Sequence, residues 1–425
     1  MRTLSSRACR GLLTLVILAT AARVTAAQLP NASPAATALG GAFTARAQGY
    51  DAVAWNPANL GMPGHTSFSF TAAALSLDGG MDPISLNDFA PYSGKTLPDA
   101  VRAQWLQTVQ DKNGENLTGN GGVTLLGLSV ANFGLQVGSF VSTSGTLSPG
   151  MFQAMMFGNA GRTGSVENLT FAGSTVQGAL FTSGGLSYGR KLLSAVGHTI
   201  SVGATFKYTV GNAMAMAQDN GSVVSANSFD MKYPVVYTRP DSTVQVGSGF
   251  GLDLGGTWKQ DKLTVGATIQ NVLNTFAWDT TKFLAKPENA FFDGTTNTTD
   301  FNDQAFSSAP QSLRDRLTAY KFKPAIAAGM AYDLTHSTTL SADVRKAVTG
   351  GISTGPDTHV GAGIEYRGIP LLSLRAGGAY ITGGFGVSGG LGLRLGPYEL
   401  GVGGVLLSAN GGKQPGIALN VLSIH

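Results

Sequence analysis

The sequence has 425 residues, of which 12% are charged and 59 are glycine, and its formal net charge is +4. That excess belongs to the first 27 residues, which contain four arginines and no acid; the remainder has 24 basic and 24 acidic residues. A balanced chain of this kind lacks the basic surface of a nucleic-acid-binding protein. No linker divides it into two soluble domains.

The first 27 residues have the pattern of a secretory signal peptide. Arginines within the first ten positions precede an apolar run at residues 12–22, and the small residues Thr25, Ala26 and Ala27 follow. The run is too short to cross a bilayer as a helix. Cys9, the only cysteine, lies ahead of it. We therefore predict residues 1–27 to be a cleaved signal peptide, which leaves a mature chain without cysteine.

The stretch that follows at residues 39–61 reads LGGAFTARAQGYDAVAWNPANLG. Gly40-Gly41 permits a tight turn or a close approach of two backbones. Asn56-Pro57 predicts a helix start, with an Asn side chain that caps free amides and a proline where no donor is lost. An ordinary turn and helix would have the same signals. Together they predict a compact folded segment ahead of the first strand.

The order of these features resembles a known family. A GGAFTA run, then Asp51, then an aromatic-Asn-Pro-Ala sequence beginning at Trp55 is similar to FadL-type outer-membrane transporters of long-chain fatty acids. It is equally similar to their PorV-type relatives in bacterial protein secretion. Both groups carry an NPA motif ahead of a 14-stranded barrel. The sequence departs from the pattern at Asn59, where Gly is more usual, and at His425, where an aromatic residue is typical.

The resemblance implies that residues 28–64 are a plug, or hatch, inside a barrel formed by residues 65–425. The residues assigned to the plug and its gate are Gly40, Gly41, Phe43, Asp51, Trp55, Asn56 and Pro57.

Low charge, abundant glycine, a secretory signal and the absence of a later apolar run of 18 residues are together typical of a transmembrane β-barrel. Residues 199–211 alternate in the required way. Ile200, Phe206 and Tyr208 fall on one face with other apolar residues, while Lys207 falls on the opposite face with Thr, Ser and Gly. Aromatic residues at one end of this face suit a membrane interface.

Segments of this kind recur along the chain, and most have the length that a tilted strand needs to cross a membrane. They lie near residues 66–77, 123–131, 133–142, 176–189, 198–210, 248–258, 262–271, 323–333, 338–347, 358–367, 371–381, 385–395, 398–407 and 416–424. The fold class that we predict is an all-β membrane protein, a 14-stranded antiparallel transmembrane β-barrel with an N-terminal plug segment inside the lumen.

Connection lengths support this prediction, because outer-membrane barrels have short periplasmic turns and long outer loops. The long connections follow odd-numbered segments at 78–122, 143–175, 211–247 and 272–322, and those after even-numbered segments are short. A soluble β-sandwich has no reason to maintain this parity.

Several charged residues lie opposite the apolar face of their own segments, so we expect them to point into the lumen. They are Asp253, Asp343, Arg345, Glu365, Arg375, Arg394 and Glu399. Many neighbouring inward positions are glycine, which would leave room for a plug: Gly361, Gly363, Gly390, Gly392, Gly401 and Gly403. Mixed charges that pair across a water-filled lumen are the alternative interpretation.

No catalytic, cofactor or metal constellation stands out. His359 falls on the same face as Glu365, and a lumen hydrogen bond is the simpler interpretation of that pair. Asp300 and Asp303 lack the oxygen-ligand spacing of a calcium loop. The sequence predicts no enzyme.

The long connections contain methionine and phenylalanine side chains that could bind an apolar ligand. Methionine adapts to irregular apolar ligands, and we predict a hydrophobic capture surface in the second and third loops. Its members are Met151, Phe152, Met155, Met156, Phe157, Met214 and Met216. In the first loop, residues 98–110 predict a short helix with Val101, Trp105 and Val109 on one stripe, either at the membrane surface or capping the barrel.

Two functions follow from the resemblance. One is passive uptake of hydrophobic, fatty-acid-like molecules through a plugged lumen in the outer membrane of a Gram-negative bacterium. The other is a PorV-like scaffold or shuttle that holds a secretion-system protein. We expect a monomer whose partners are the lipid bilayer and either a hydrophobic small molecule or a secretion protein, with no nucleic acid. An outer-membrane hydrolase is a weaker third hypothesis, because it lacks a catalytic set.

Overall fold

The computed structural model describes residues 32–195, 197–241, 245–347, 352, 358–381, 384–409 and 412–424. The predicted signal peptide, the first four residues of the predicted plug and His425 lie outside these ranges.

Fourteen long strands form one antiparallel barrel. They are β1 (Phe68–Asp82), β2 (Glu115–Val130), β3 (Phe133–Leu147), β4 (Thr175–Ala195), β5 (His198–Gln218), β6 (Gly247–Gln260), β7 (Leu263–Asn274), β8 (Ala325–Asp333), β9 (Thr338–Ala347), β10 (Thr358–Ile369), β11 (Leu372–Ile381), β12 (Gly384–Leu395), β13 (Tyr398–Ala409) and β14 (Gly412–Ile424).

Each strand pairs with the next along the chain, and β1 closes the ladder by pairing with β14, from Phe70 opposite Ile424 to Asp78 opposite Gly416. Closure satisfies the backbone groups of every strand without a free edge, as a membrane-spanning sheet requires. The predicted fold class is therefore confirmed for the barrel.

The two faces of the wall have opposite chemistry. Phe206 is 52% exposed and points outward, while the neighbouring Lys207 is 4% exposed and points inward. The same pattern holds along β1, where Phe68 is exposed and Ser69 and Thr71 are buried. An apolar outer face and a polar inner face are typical of a transmembrane barrel.

All of the predicted segments coincide with strands, but several strands are longer than expected. β4 and β5 have 21 residues each: β4 continues past its predicted end to Ala195, beside the short turn, and β5 continues past its predicted end to Gln218, into the long connections. β1, β2 and β3 also extend into the long connections. Those connections are accordingly shorter than predicted, at residues 83–114, 148–174, 219–246 and 275–324.

The long connections have their own structure. Their α-helices are Leu86–Phe89, Asp99–Asp111, Pro149–Phe157 and Gln311–Ala319. Short strands pair into a small second sheet of Leu169–Thr170, Val223–Val224, Phe229–Lys232, Asn289–Phe292 and Asn297–Asp300. No helix in the described part of the chain is long and apolar enough to cross a membrane.

Candidate functional site in the barrel lumen

Residues 32–64, called the N-terminal segment below, lie against the inward side chains of the barrel wall. The segment contains two short α-helices, Pro34–Ala38 and Ala52–Trp55, and two 3-10 turns, Gly49–Asp51 and Pro57–Gly61. As predicted, Asn56 caps the last of these: its Oδ1 accepts a hydrogen bond from the amide of Ala58 at 3.1 Å, with proline in the first position.

Two asparagines connect the segment to itself and to the wall. Asn56 is completely buried, and its Nδ2 donates to Thr257 Oγ1 on β6 at 3.0 Å. Thr257 in turn donates to Asn59 Oδ1 at 2.6 Å. Asn59 Nδ2 donates to the carbonyls of Thr44 and Ala47. Asn59, where the sequence departs from the FadL-type pattern, therefore stabilises the fold of the segment.

Polar side chains of the wall donate to backbone carbonyls of the segment. Ser201 on β5 donates to the carbonyl of Ala58 at 2.7 Å, and Gln270 on β7 donates to that of Ala54 at 3.1 Å. On the opposite side of the barrel, Ser388 on β12 does the same for a carbonyl in the first helix. Buried carbonyls need partners, so these wall residues fix the position of the segment.

Asp343 on β9 and His359 on β10 also bind the segment's backbone. Asp343 Oδ2 accepts from the amides of Phe43 and Thr44 at 3.0 and 2.7 Å. His359 Nε2 lies 2.9 Å from the carbonyl oxygen of Gly40, close enough to donate to it. His359 thus bonds to the segment, and Glu365 lies in a separate cluster of arginines.

Glycines in the wall make room for the segment. In the segment itself, Gly40 and Gly41 have φ of +62° and +75°, a conformation that favours glycine. The wall glycines face this part of the segment. A Cβ added at Gly363 would lie 2.7 Å from the carbonyl oxygen of Leu39, and one at Gly390 would lie 2.6 Å from the Ala38 side chain. Any larger side chain at these wall positions would collide with the segment.

Three of the four remaining predicted glycines also make room for the N-terminal segment, and the fourth makes room for wall side chains. Gly361 faces the backbone of Gly40, and Gly401 and Gly403 face Pro34. Gly392 instead leaves space for Glu399 and Arg375.

An ion cluster joins the segment to the wall near the short turns. Glu365 binds three guanidinium groups: that of Arg46 from the segment, Arg375 Nε at 2.7 Å and Arg367 Nη2 at 2.6 Å. Arg375 Nη2 reaches Glu399 at 2.8 Å. The cluster lines a cavity of about 370 Å³ between the segment and the wall, which Asp51 and Arg394 also line.

Other predicted plug residues pack inside the segment. The rings of Phe43 and Trp55 meet edge to face, 5.5 Å apart. Asp51 is buried and accepts a hydrogen bond from Ser33 at 3.4 Å. Of the remaining predicted lumen charges, Asp253 is buried and pairs with Lys207, while Arg345 is partly buried.

Toward the long connections, the lumen becomes apolar. Phe140, Phe181 and Met216 point inward from three adjacent strands and are at most 5% exposed. The connection 275–324 folds over them with Phe276 and Trp278, whose rings pack against Phe181 at 5.8 and 5.5 Å. We call this group the lumen aromatic cluster.

A bulge explains why methionines enter this cluster. The pairing of β4 with β5 shifts register so that Phe181 faces Gly211 and Leu180 faces Ala213. Even-numbered residues of β5 face lipid before the bulge and face inward after it. Met214 and Met216 are therefore buried wall residues, and their predicted place in a loop is wrong.

The other members of the predicted capture surface lie elsewhere. Met151, Phe152, Met155, Met156 and Phe157 belong to the helix Pro149–Phe157. Phe152 packs with Trp105 and Val109 of the helix Asp99–Asp111, which confirms the predicted helix and its stripe. Met155 is 52% exposed. The structure separates the predicted surface into two clusters.

Solved structures that are similar to this chain include proteins described as a transporter, a channel and a FadL homologue. The Ralstonia pickettii toluene transporter TbuX is 14% identical, with a TM-score of 0.51 over 94% of this chain and 99% of that one. A deletion mutant of the monoaromatic hydrocarbon channel TodX is 14% identical, with a TM-score of 0.50 over 93% and 98%. A Pseudomonas aeruginosa FadL homologue is 11% identical, with a TM-score of 0.46 over 92% and 97%. The first two confirm the FadL-type fold that the sequence resemblance predicted.

No protein of curated function matches the sequence. One family model does match, over residues 54–344, and it is a family that the sequence resemblance did not name. Because this match spans more than half of the chain, the protein belongs to the family described as "F plasmid transfer operon, TraF, protein".

Proposed function

We propose that this protein is an outer-membrane barrel that admits hydrophobic small molecules passively through its lumen, with residues 28–64 as the plug. The observation that carries the proposal is the lumen aromatic cluster. A water-filled pore is lined by polar side chains, whereas Phe140, Phe181 and Met216 place apolar surface inside this barrel. Such a lining favours hydrophobic molecules over ions and sugars.

The solved structures are consistent with this proposal. TbuX is described as a toluene transporter and TodX as a monoaromatic hydrocarbon channel. A hydrophobic molecule entering from outside would first meet Phe276 and Trp278 of the connection 275–324, and then the N-terminal segment. Both are closely packed here, so passage requires the connection and the segment to move.

Uptake into vesicles tests the proposal. Liposomes that contain the purified barrel should take up a fluorescent fatty acid or an aromatic hydrocarbon faster than liposomes without it. Met216→Gln places a polar amide in the lumen aromatic cluster and should slow this uptake. Met231→Gln, the same change in the small second sheet, is the matched control and should leave uptake unchanged.

The result that would refute the proposal is equal uptake by vesicles with and without the unmutated barrel. Heat-modifiable gel mobility should verify that each variant is folded, since a buried polar substitution also destabilises a protein.

A second candidate is a scaffold that holds a protein partner on the long connections. It is favoured by the many wall side chains that bind the N-terminal segment, from Ser201 on β5 to Ser388 on β12. A segment held in this way suits a barrel that remains closed. The family description, which refers to the transfer operon of the F plasmid, is compatible with an assembly role.

A further inference from the structure

The cavity beside the ion cluster has an excess of arginine donors. It opens between the N-terminal segment and the ends of the strands that carry the short turns, and its volume is about 370 Å³. That volume lies within the usual range for small-molecule sites, about 300 to 1,000 Å³. Its lining includes Arg46, Arg367, Arg375 and Arg394.

Two of these arginines have unused donors. Arg46 has a side chain that is only 10% exposed, and its Nη1 has no hydrogen-bond partner among the described residues. Arg394 Nε is likewise buried and unpartnered within the described ranges. A buried guanidinium donor needs an acceptor, so these two groups are available to a bound molecule.

The carboxylates of the cavity do not supply that acceptor. Glu365 is shared among three guanidinium groups, and Glu399 accepts from Arg375. Asp51 accepts from Ser33, and Asp333, which also lines the cavity, accepts from Thr339 at 2.9 Å. Among the described residues, the lining has five basic and four acidic side chains, so the cavity has net positive charge.

We propose that this cavity binds an oxyanion, the carboxylate or phosphate group of a small molecule that arrives from the side of the short turns. Guanidinium groups bind these planar or tetrahedral oxyanions with charge-assisted hydrogen bonds. Arg46 and Arg394 supply the free donors, and Pro34, Phe43 and Ala331 offer apolar surface to a short hydrocarbon body. The site is distinct from the lumen aromatic cluster, and its occupancy does not depend on transport.

Isothermal titration of the full barrel in a nonionic detergent and a phosphate-free buffer tests this site. Inorganic phosphate represents a free anion, and octanoate below its micellar concentration represents the head group of an amphiphile. Arg394→Gln removes a free donor that makes no ion pair with Glu365. Lys262→Gln removes one positive charge from an exposed turn at the same end of the barrel and is the matched control.

We expect saturable binding of at least one of the two anions, weakened about tenfold or more by Arg394→Gln and unchanged by Lys262→Gln. Binding of octanoate alone would identify an amphiphile head group as the ligand, and binding of phosphate would identify a free anion. Arg46→Gln should weaken the same binding, provided that heat-modifiable mobility shows an intact barrel.

Absence of saturable binding of either anion would overturn the proposal. Equal weakening by Arg394→Gln and Lys262→Gln would also overturn it, because that result would mean that only net charge matters.

Discussion

Lys207 and Asp253 form a buried ion pair inside the barrel, with Nζ and Oδ1 2.6 Å apart and side chains 4% and 3% exposed. Asn271 contacts both partners. Its side-chain oxygen accepts a hydrogen bond from Lys207 Nζ at 2.8 Å, and its backbone amide donates one to Asp253 Oδ1 at 2.7 Å. The pairing of β6 with β7 shifts register between Leu252 and Leu254, and Asn271 has a φ of +51°. A wall irregularity is thus stabilised by a satisfied charge pair.

Removing one partner of this pair should be more damaging than removing both. Lys207→Met leaves the Asp253 carboxylate buried without its cation, and we expect a loss of about 3 to 5 kcal/mol in unfolding free energy. The double variant Lys207→Met with Asp253→Leu should recover most of that loss. Urea unfolding of the detergent-solubilised barrel, followed by tryptophan fluorescence, measures both. Equal destabilisation of the single and double variants would contradict a direct interaction.

The outward direction of Phe206 gives a second prediction. Phe206→Arg places a charge against the hydrocarbon, at a cost of about 2 to 4 kcal/mol near the midplane and less at the interface. The folded fraction after insertion into liposomes should fall, and Phe206→Leu should behave like the unmutated protein. Normal insertion of the arginine variant would show that this position does not face lipid.

Gly203 tests the fit between the wall and the N-terminal segment. An added Cβ there would lie 2.5 Å from Pro57 O and 2.5 Å from Ala58 N, whereas one at Gly256 on the adjacent strand would have no atom within 4 Å. We expect Gly203→Ala to displace the segment and raise ion conductance in planar bilayers, because the closed ladder maintains the barrel. Gly256→Ala should conduct like the unmutated barrel. Identical conductance of both variants would mean that the segment does not limit ion flow.

Local patterns in the sequence were sufficient to predict most of the fold. Alternation placed every strand, connection parity gave the antiparallel order, and Asn56-Pro57 gave the cap that the structure contains. These features depend on neighbours in the chain, and their chemistry is therefore visible without knowledge of distant contacts. The sequence also predicted that inward-facing glycines leave room for a plug, because small side chains leave space that another part of the chain must fill. Gly361, Gly363, Gly390 and Gly403 contact the N-terminal segment in this way.

The contacts that define the candidate site were less accessible. Met214 and Met216 enter the lumen only because a bulge reverses the alternation after Gly211, and nothing in the local sequence identifies that extra residue. Arg46 pairs with Glu365, and Asn59 accepts a hydrogen bond from Thr257; each partner is more than 190 positions away in the chain. Such pairs exist only after the barrel has closed.

Loosening the N-terminal segment at one point separates a transporter from a scaffold. Asn56→Ala removes the cap of Pro57–Gly61 and the bond to Thr257, while the wall ladder remains intact. Loss of a helix cap costs about 1 kcal/mol, enough to increase opening of the segment severalfold without unfolding the barrel. In a transporter whose plug limits passage, uptake of a fluorescent fatty acid by liposomes should therefore rise.

In a scaffold, Asn56→Ala should leave probe uptake at the level of barrel-free liposomes. Ser388→Ala is the matched control, because it removes one bond to the carbonyl of Ala38 but preserves every contact of Asn56. We expect a smaller rise for Ser388→Ala than for Asn56→Ala. If neither variant changes uptake while the unmutated barrel does transport the probe, the rate-limiting barrier lies in the lumen aromatic cluster, and the plug is not the gate.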